Sequence, residues 1–496
     1  MTAANHQTCR SWHQTPSLLV LIFVALALCL YCLPTRSNPA MENCNTIVES
    51  LRSSQNWGRQ ALVGSLEYGP LQTLFLLLCR SLGGIIGLSA GKLYSAICQS
   101  FIIVSLLLWQ KNHGRRGRGL IGAALLLAGA FFFPPLRELL SCTAASPAWL
   151  NAALFCALYY QFSQWHQEQE LRWLVLCATS LALLMLCGSC GILLALGTIP
   201  VLLREISFTL NDKEKFSGLP TILLMPAGYA LLLYFVWNWL VMDDAIFFLR
   251  DYWSRASSLP LAALLHLPPS SWRLGLLFLL LAALATLLSF ERTCKSPARL
   301  LLPLALLLPL HFHFTQIMQV YSGGLPAYLL AVLLALLLVL NSSDYRLRQR
   351  PLQFLLSLAL LYCALPIRVS TCFQSASDAP PRTELTTYID QFWPDSRIML
   401  YGLPLALAYP DLQEYRFQAR LDYQESDFLT QARDEQLHLL VPPPEGKYYP
   451  ARKSVLADIH AHGRPWLLLE KQWPGGWQLW RCVIPPEGES KLDALR

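Results

Sequence analysis

Eleven stretches in the first 370 residues are apolar for long enough, or nearly long enough, to cross a lipid bilayer. They lie near 17–35, 93–110, 119–136, 148–163, 172–188, 191–203, 218–241, 273–290, 299–314, 325–341 and 352–367. A membrane-spanning helix needs about 20 such residues. Inside lipid the backbone must satisfy its own hydrogen bonds, so a run of this kind has little choice but to be a helix. Composition agrees: 54% of the chain is hydrophobic and only 14% charged, where a soluble domain carries about 25% charge. Disorder is excluded by the same abundance of apolar surface. The 15 cysteines are spread over 496 residues, too thinly for a small disulfide scaffold.

Charge divides the chain in two. Residues 375–496 carry 13 Lys/Arg and 17 Asp/Glu, an ordinary soluble density, and the rest of the chain carries 25 and 14. The reading is a membrane domain over 1–370 and a water-soluble domain over 371–496. The basic excess sits in short loops between apolar runs, which is a topology signal and no argument for nucleic acid. With the N-terminus inside, the inner segments hold thirteen Lys/Arg, among them Lys111, Arg115, Arg116 and Arg118, and the longer outer segments hold eight. A twelfth apolar run, 70–88, is interrupted by Pro70, Gly83, Gly84 and Gly87. It reads as a helix at the membrane face, because a full crossing would turn the basic cluster 111–118 outward. The first span reads as a retained anchor, and an odd number of spans places the C-terminal domain outside.

The spans are nearly free of acid, and acids gather at their outer ends. Glu42, Glu49 and Glu67 lie in the first outer loop, Glu138 beside Arg137 in the second, and Asp243, Asp244 and Asp251 after the seventh span. A site assembled from several loops at the outer surface has this pattern; loops that merely need solvated charge have it too. Cys187-Gly188-Ser189-Cys190 has redox spacing, but it joins two apolar runs and reads as a tight turn of small residues. His311 and His313, two apart, do not share a helix face. No P-loop, His-Glu-x-x-His, nucleophile elbow or dinucleotide fingerprint is present.

The order of elements around the first outer loop carries a resemblance. After the first span come Glu42, a helical run from Asn45 to Gln55 with Ser50 within it, the turn Tyr68-Gly69-Pro70-Leu71, an interfacial apolar helix, and Gly91-Lys92-Leu93 opening the second span. This layout resembles the polytopic C-type-fold glycosyltransferases that take sugars from polyprenyl-phosphate donors, such as the protein mannosyltransferases and the aminoarabinose transferases. Glu42 falls where that family has an acid, usually Asp. Ser50 falls at a small position, Tyr68–Leu71 at a Pro-Pro-Leu-like turn, and Lys92 at an Arg. Glu keeps the carboxylate but moves it outward by one methylene, so an inactive scaffold of the same fold stays open.

The resemblance implies an enzyme that transfers a sugar to a glycan, lipid or protein acceptor at the outer face of the inner (plasma) membrane. Glu42 would be the general base. Lys92 and Arg137 would bind the donor phosphate. Glu138, Asp243, Asp244 and Glu67 would support the site, position the acceptor or bind a divalent cation, and carboxylate oxygens suit Mg²⁺, Mn²⁺ or Ca²⁺. No cofactor is fixed by the sequence. Lys92 also reads as an interfacial residue that extends its amine to water, and Asp243-Asp244 as a helix stop. The rival from another class is a transporter or flippase of a lipid-linked substrate.

In the C-terminal domain, 383–392 and 427–436 have helical patterns, 397–401 and 438–441 read as strands, and 466–469 with 477–483 form a hairpin around Pro474-Gly475-Gly476. The fold class expected is therefore a polytopic α-helical membrane protein of about 11 transmembrane helices with a C-terminal α/β soluble domain.

Overall fold

A computed structural model describes residues 16–32, 39–52, 57–112, 147–209, 218–250, 382–409, 417–420, 425–443 and 455–483, together with position 307. The expected spans at 119–136, 273–290, 299–314, 325–341 and 352–367 lie outside the described residues. So do Arg137, Glu138, Asp251, His311 and His313.

The N-terminal helical part contains α1 (Pro16–Tyr31), α2 (Pro39–Arg52), α3 (Trp57–Gly64), α4 (Pro70–Ile86), α5 (Ala90–Asn112), α6 (Ala148–Glu168), α7 (Leu171–Met185), α8 (Gly188–Thr209) and α9 (Leu219–Met242). Among the described residues three helices are long and apolar enough to cross a membrane, over Ala90–Trp109, Gly188–Ser207 and Leu219–Met242. The eleven expected spans are thus matched only in part. α1 packs on α5, α5 on α6, α6 on α7, and α7 on both α8 and α9. α5 and α6 run parallel: the Tyr94 hydroxyl donates to the Pro147 carbonyl at 2.9 Å, and Trp109 meets Tyr159 at 6.1 Å. The ends joined by residues 113–146 therefore lie at opposite ends of the bundle.

The outer surface of α9 exposes Met225, Tyr229, Leu232, Val236, Trp239 and Leu240. A continuous apolar stripe of this kind would be a liability in water and suits lipid. α4 is amphipathic. Leu74, Leu78, Leu82, Ile85 and Ile86 are exposed on one side, and Gln72, Thr73, Leu76 and Cys79 are buried on the other. Its 17 residues fit a helix lying at a membrane face better than one crossing it. Contrary to the expectation of a broken run, the helix continues through Gly83 and Gly84. Pro70 begins it, and Gly87, with φ +74°, ends it.

The C-terminal part contains α10 (Arg382–Phe392), β1 (Ile398–Tyr401), α11 (Leu403–Ala408), β2 (Phe417–Arg420), α12 (Glu425–Asp434), β3 (His438–Val441), α13 (Val455–His462), β4 (Leu467–Gln472) and β5 (Gln478–Cys482). The sheet order is β2-β1-β3-β5-β4, with β1 parallel to β2 and β3, and β5 antiparallel to β3 and β4. The expected hairpin is present, its turn made by Gly475 and Gly476 at φ +98° and +85°. The sequence reading missed α11, β2 and α13, all too short for periodicity to resolve. The core of this part, built on Ile398, Leu400, Leu439, Leu440 and Leu479, is a separate cluster from that of the helical bundle.

His438 stands out in that core. It is buried, directly opposite Arg481 in the β3–β5 register, and among the described residues neither ring nitrogen has a hydrogen-bond partner. Burial, with the Arg481 guanidinium second, lowers its pKa to about 4. The unfolded chain, with an ordinary pKa near 6.5, therefore binds the proton that the folded domain refuses. The His438 contribution is constant above about pH 6.5 and turns against the fold between there and about pH 4. It reaches ~3 kcal/mol of lost stability. Denaturant unfolding followed by tryptophan fluorescence across pH 4–7 is expected to show this loss in the wild type and a shallower one in His438→Leu.

Candidate active site

Glu42 lies in the first turn of α2. The sequence reading began this helix at Asn45; it begins at Pro39, so Glu42 is carried on a rigid helix and not on the loop before it. Met41, Cys44, Ile47 and Val48 form the buried face, and Glu42 and Glu49 stay exposed. A carboxylate in the first turn complements the positive end of the helix dipole. Ser50 is small for a steric reason. A Cβ on Gly58 of α3 would overlap the Ser50 hydroxyl oxygen, so the two helices cross in close contact.

Three sets of contacts hold α2 from the bundle side. Asn43 Nδ2 donates to the Tyr68 hydroxyl at 2.8 Å. Arg80 of α4 meets Glu49 at 2.6 Å. α3 and α4 pack alongside. Tyr68 is itself buried in a short loop that is fixed at both ends. The Ser65 hydroxyl accepts from the Glu67 and Tyr68 backbone amides at 3.2 and 3.3 Å. From α9, the Tyr234 hydroxyl donates to the Ser65 carbonyl at 3.1 Å and Asn238 Nδ2 to the Val63 carbonyl at 2.8 Å. A hydrogen-bonded path thus runs from α9 through the loop to the residue next to Glu42.

The same loop is fastened to the turn between α7 and α8. The Leu71 amide donates to the Leu186 carbonyl at 3.0 Å, and the Ser189 amide to the Leu66 carbonyl at 2.6 Å. Gly69 and Gly188 face each other at this crossing. A Cβ on Gly69 would overlap the backbone of Cys187 and Gly188, and one on Gly188 would come within 2.7 Å of the Leu66 carbonyl oxygen. Gly188 also has φ +82°, a conformation that suits glycine. This is why Cys187-Gly188-Ser189-Cys190 is small: it is a turn against which another backbone rests. Both cysteines are free and buried.

The helix ends that carry the candidate residues converge. The Tyr31 hydroxyl, at the end of α1, accepts from the Ser89 amide at 2.9 Å, just before α5. Phe247 and Phe248, which follow Asp243-Asp244, pack on Val63 and Leu66. Glu42, Glu67, Lys92 and Asp243-Asp244 therefore share one end of the bundle. Their local roles differ. Glu67 is half-buried, and its carboxylate adds to burial in raising the Cys44 thiol pKa far above its usual value. Lys92 places its amine 5.9 Å from the centre of the Tyr31 ring, a cation–π arrangement. Asp243 caps α9 in the left-handed region at φ 54°. Asp244 accepts from the Ile246 amide at 3.1 Å and pairs with Arg250 at 3.0 Å, so this pair serves as a helix stop. Among the described residues no three His, Cys, Asp or Glu lie together as a metal site. Arg80 was not singled out from sequence; its signal is a lone cation within the apolar run of α4.

No family model and no curated protein matches the chain. Among solved structures, ArnT from Cupriavidus metallidurans bound to undecaprenyl phosphate aligns at 14% identity, covering 95% of this chain and 100% of that one, with a TM-score of 0.41. The same protein in the apo state aligns at 13% identity, covering 95% and 99%, with a TM-score of 0.36. At these TM-scores the likeness carries no argument about fold or activity.

Two substitutions test the staple. Gly188→Ala is expected to lower the unfolding midpoint, with a cost of ~2 kcal/mol or more from the combined overlap and strained φ. Tyr68→Phe removes one hydrogen bond and is expected to cost about 1 kcal/mol. Thermal unfolding of each purified variant beside the wild type checks both.

Proposed function

We propose that the chain is a multi-pass membrane glycosyltransferase. It transfers a sugar from a polyprenyl-phosphate donor to a glycan, lipid or protein acceptor, with Glu42 as general base. The observation that carries this reading is the setting of Glu42. It is an exposed carboxylate on a helix clamped by the Tyr68 loop and packed against α3 and α4, at the end of the bundle that also holds Glu67 and Lys92. The resemblance of the first outer loop to the C-type-fold transferases supports it.

In this mechanism Glu42 takes the proton from the acceptor hydroxyl or amine as that atom attacks the anomeric carbon of the donor. The carbon–oxygen bond to phosphate breaks, and polyprenyl phosphate leaves with the electron pair. Cations near the leaving phosphate stabilise the developing charge. Lys92 and Arg137 are the residues assigned to this role, and Arg80 joins them by its place beside α2. The exposed apolar stripe of α4 suits the prenyl chain. Glu67 and Glu138 would position the acceptor or hold a divalent cation; Asp243 and Asp244 would shape the loop. The reading includes a domain boundary near residue 370, an N-terminus in the cytoplasm and the C-terminal domain outside it.

A transporter would place charged groups on broken helices near the middle of the membrane. α8 and α9 instead run as single helices through Pro200 and Pro226, which favours the transferase.

The test is sugar transfer from a panel of polyprenyl-phosphate sugars by the purified protein, beside Glu42→Gln. The variant is expected to lose about 10²- to 10⁴-fold in kcat while still binding donor. Transfer that survives in the variant would move the base to Glu67, Glu138 or the Asp243-Asp244 pair. Donor binding without transfer by the wild type would turn the reading to the inactive scaffold or the transporter.

A further inference from the structure

The short helix α11 belongs to two cores at once. It begins directly after β1, at Gly402 with φ +91°, at the carboxyl ends of the parallel strands. Leu405 and Ala408 pack into the core of the C-terminal sheet, together with Tyr409. Ala406 and Leu407 do not. They are 0% and 4% exposed and belong to the core cluster of the N-terminal helical part, the one that includes Met41, Cys44, Ile47 and Val48. α11 contacts α2 directly. One turn of helix thus joins the C-terminal sheet to the helix that carries Glu42.

The packing leaves α2 held from several sides. The Tyr68 loop, α3 and α4 fix it to the bundle, and α11 adds a contact that only the C-terminal domain supplies. A helix of 14 residues has little stability of its own in water, so its place depends on these contacts. We propose that Ala406 and Leu407 are positioning residues: docking of α11 sets α2, and through it the Glu42 carboxylate, so that sugar transfer depends on the C-terminal domain being seated. This rests on the transferase reading for its catalytic half; the docking half stands on geometry alone. Misplacement of a catalytic group by about 1 Å can cost on the order of 100-fold in rate. A truncated Leu407 need not disturb donor binding.

The experiment uses the full chain in lipid nanodiscs, as wild type, Leu407→Ala, Leu407→Met and Leu407→Val. Three quantities are read: kcat and donor KM, the unfolding midpoint by tryptophan fluorescence, and the rate at which maleimide labels Cys44, followed by peptide mass spectrometry. Cys44 is a free thiol buried on α2, so its labelling reports loosening of α2 on loss of the α11 contact, without reference to activity. Leu407→Ala is expected to lower kcat at least 10-fold with donor KM within twofold. It should also raise Cys44 labelling at least 10-fold. The volume-conserving Leu407→Met should restore both. If the alanine variant does not fold, the smaller truncation to valine is read in the same way. Wild-type kcat together with wild-type labelling in the truncated variants would overturn the proposal. Increased labelling with unchanged kcat would remove the positioning role and leave only a docking contact. A wild-type protein that transfers no sugar would end the transferase reading and the positioning role with it, and the labelling result would then decide the docking by itself.

Discussion

Everything near Glu42 depends on two turns that cross with no side chain between them. Gly69 and Gly188 bring the backbone before α4 against the backbone between α7 and α8. Two hydrogen bonds, Leu71 to Leu186 and Ser189 to Leu66, close the crossing. Away from bulk water such groups are costly to leave unpaired, so the crossing is held by what its loss would expose. Once it forms, the loop 65–68 has one shape. Tyr68 is then buried where Asn43 can reach it, and α2 is oriented from below. A side chain at either glycine would push the two turns apart and carry α2 with them.

Around this staple the molecule divides its work by solvent. The helices of the bundle present apolar stripes outward on α1, α4 and α9 and also bury large apolar and aromatic side chains such as Tyr94, Phe155 and Tyr159 between them. The C-terminal sheet has its own core and the charge of an ordinary soluble domain. The two parts meet at α11, where Ala406 and Leu407 belong to the core of the bundle and Leu405 and Ala408 to that of the sheet. The candidate base is carried on the helix that α11 touches, a helix with contacts from both parts. An acid in a flexible loop would be poorly placed for proton transfer; the packing of α2 supplies the rigidity that general-base geometry needs.

Much of this was legible in the residues. The apolar runs predicted α1, α5, α7, α8 and α9 within a few positions, because helices in lipid have no alternative way to pair their backbones. The strands 398–401 and 438–441 and the hairpin over 474–476 followed from short apolar runs bounded by turn residues. The cysteines around Gly188 were correctly read as a turn. Other features were not read. α11, β2 and α13 span only about two periods each and lack the bounded apolar run that marked β1 and β3. The start of α2 at Pro39 was legible but passed over: Asn38 followed by Pro39 is an N-cap residue before a proline at the first helical position. Arg80 and Tyr68 acquired their partners only through contacts with residues 31 and 25 positions away. Asp244, which pattern alone left open, is used by its own turn and by Arg250.

By itself the sequence determined that eleven runs in the first 370 residues are apolar for long enough, or nearly so, to cross a membrane, that the last 120 or so residues carry the charge density of a soluble domain, and that acids collect near the ends of the apolar runs. Those conclusions follow from hydrophobicity and charge, which each residue carries wherever it is placed. Among the described residues, the tertiary structure decided that Glu49 pairs with Arg80 and Asp244 with Arg250. It also showed that the turn at 66–71 rests on the turn at 186–189, and that α2 is gripped from two sides. These are relations between residues far apart in the chain. They depend on which backbone a missing Cβ allows to approach and on which hydroxyl finds which amide, and no local property of the residues encodes that.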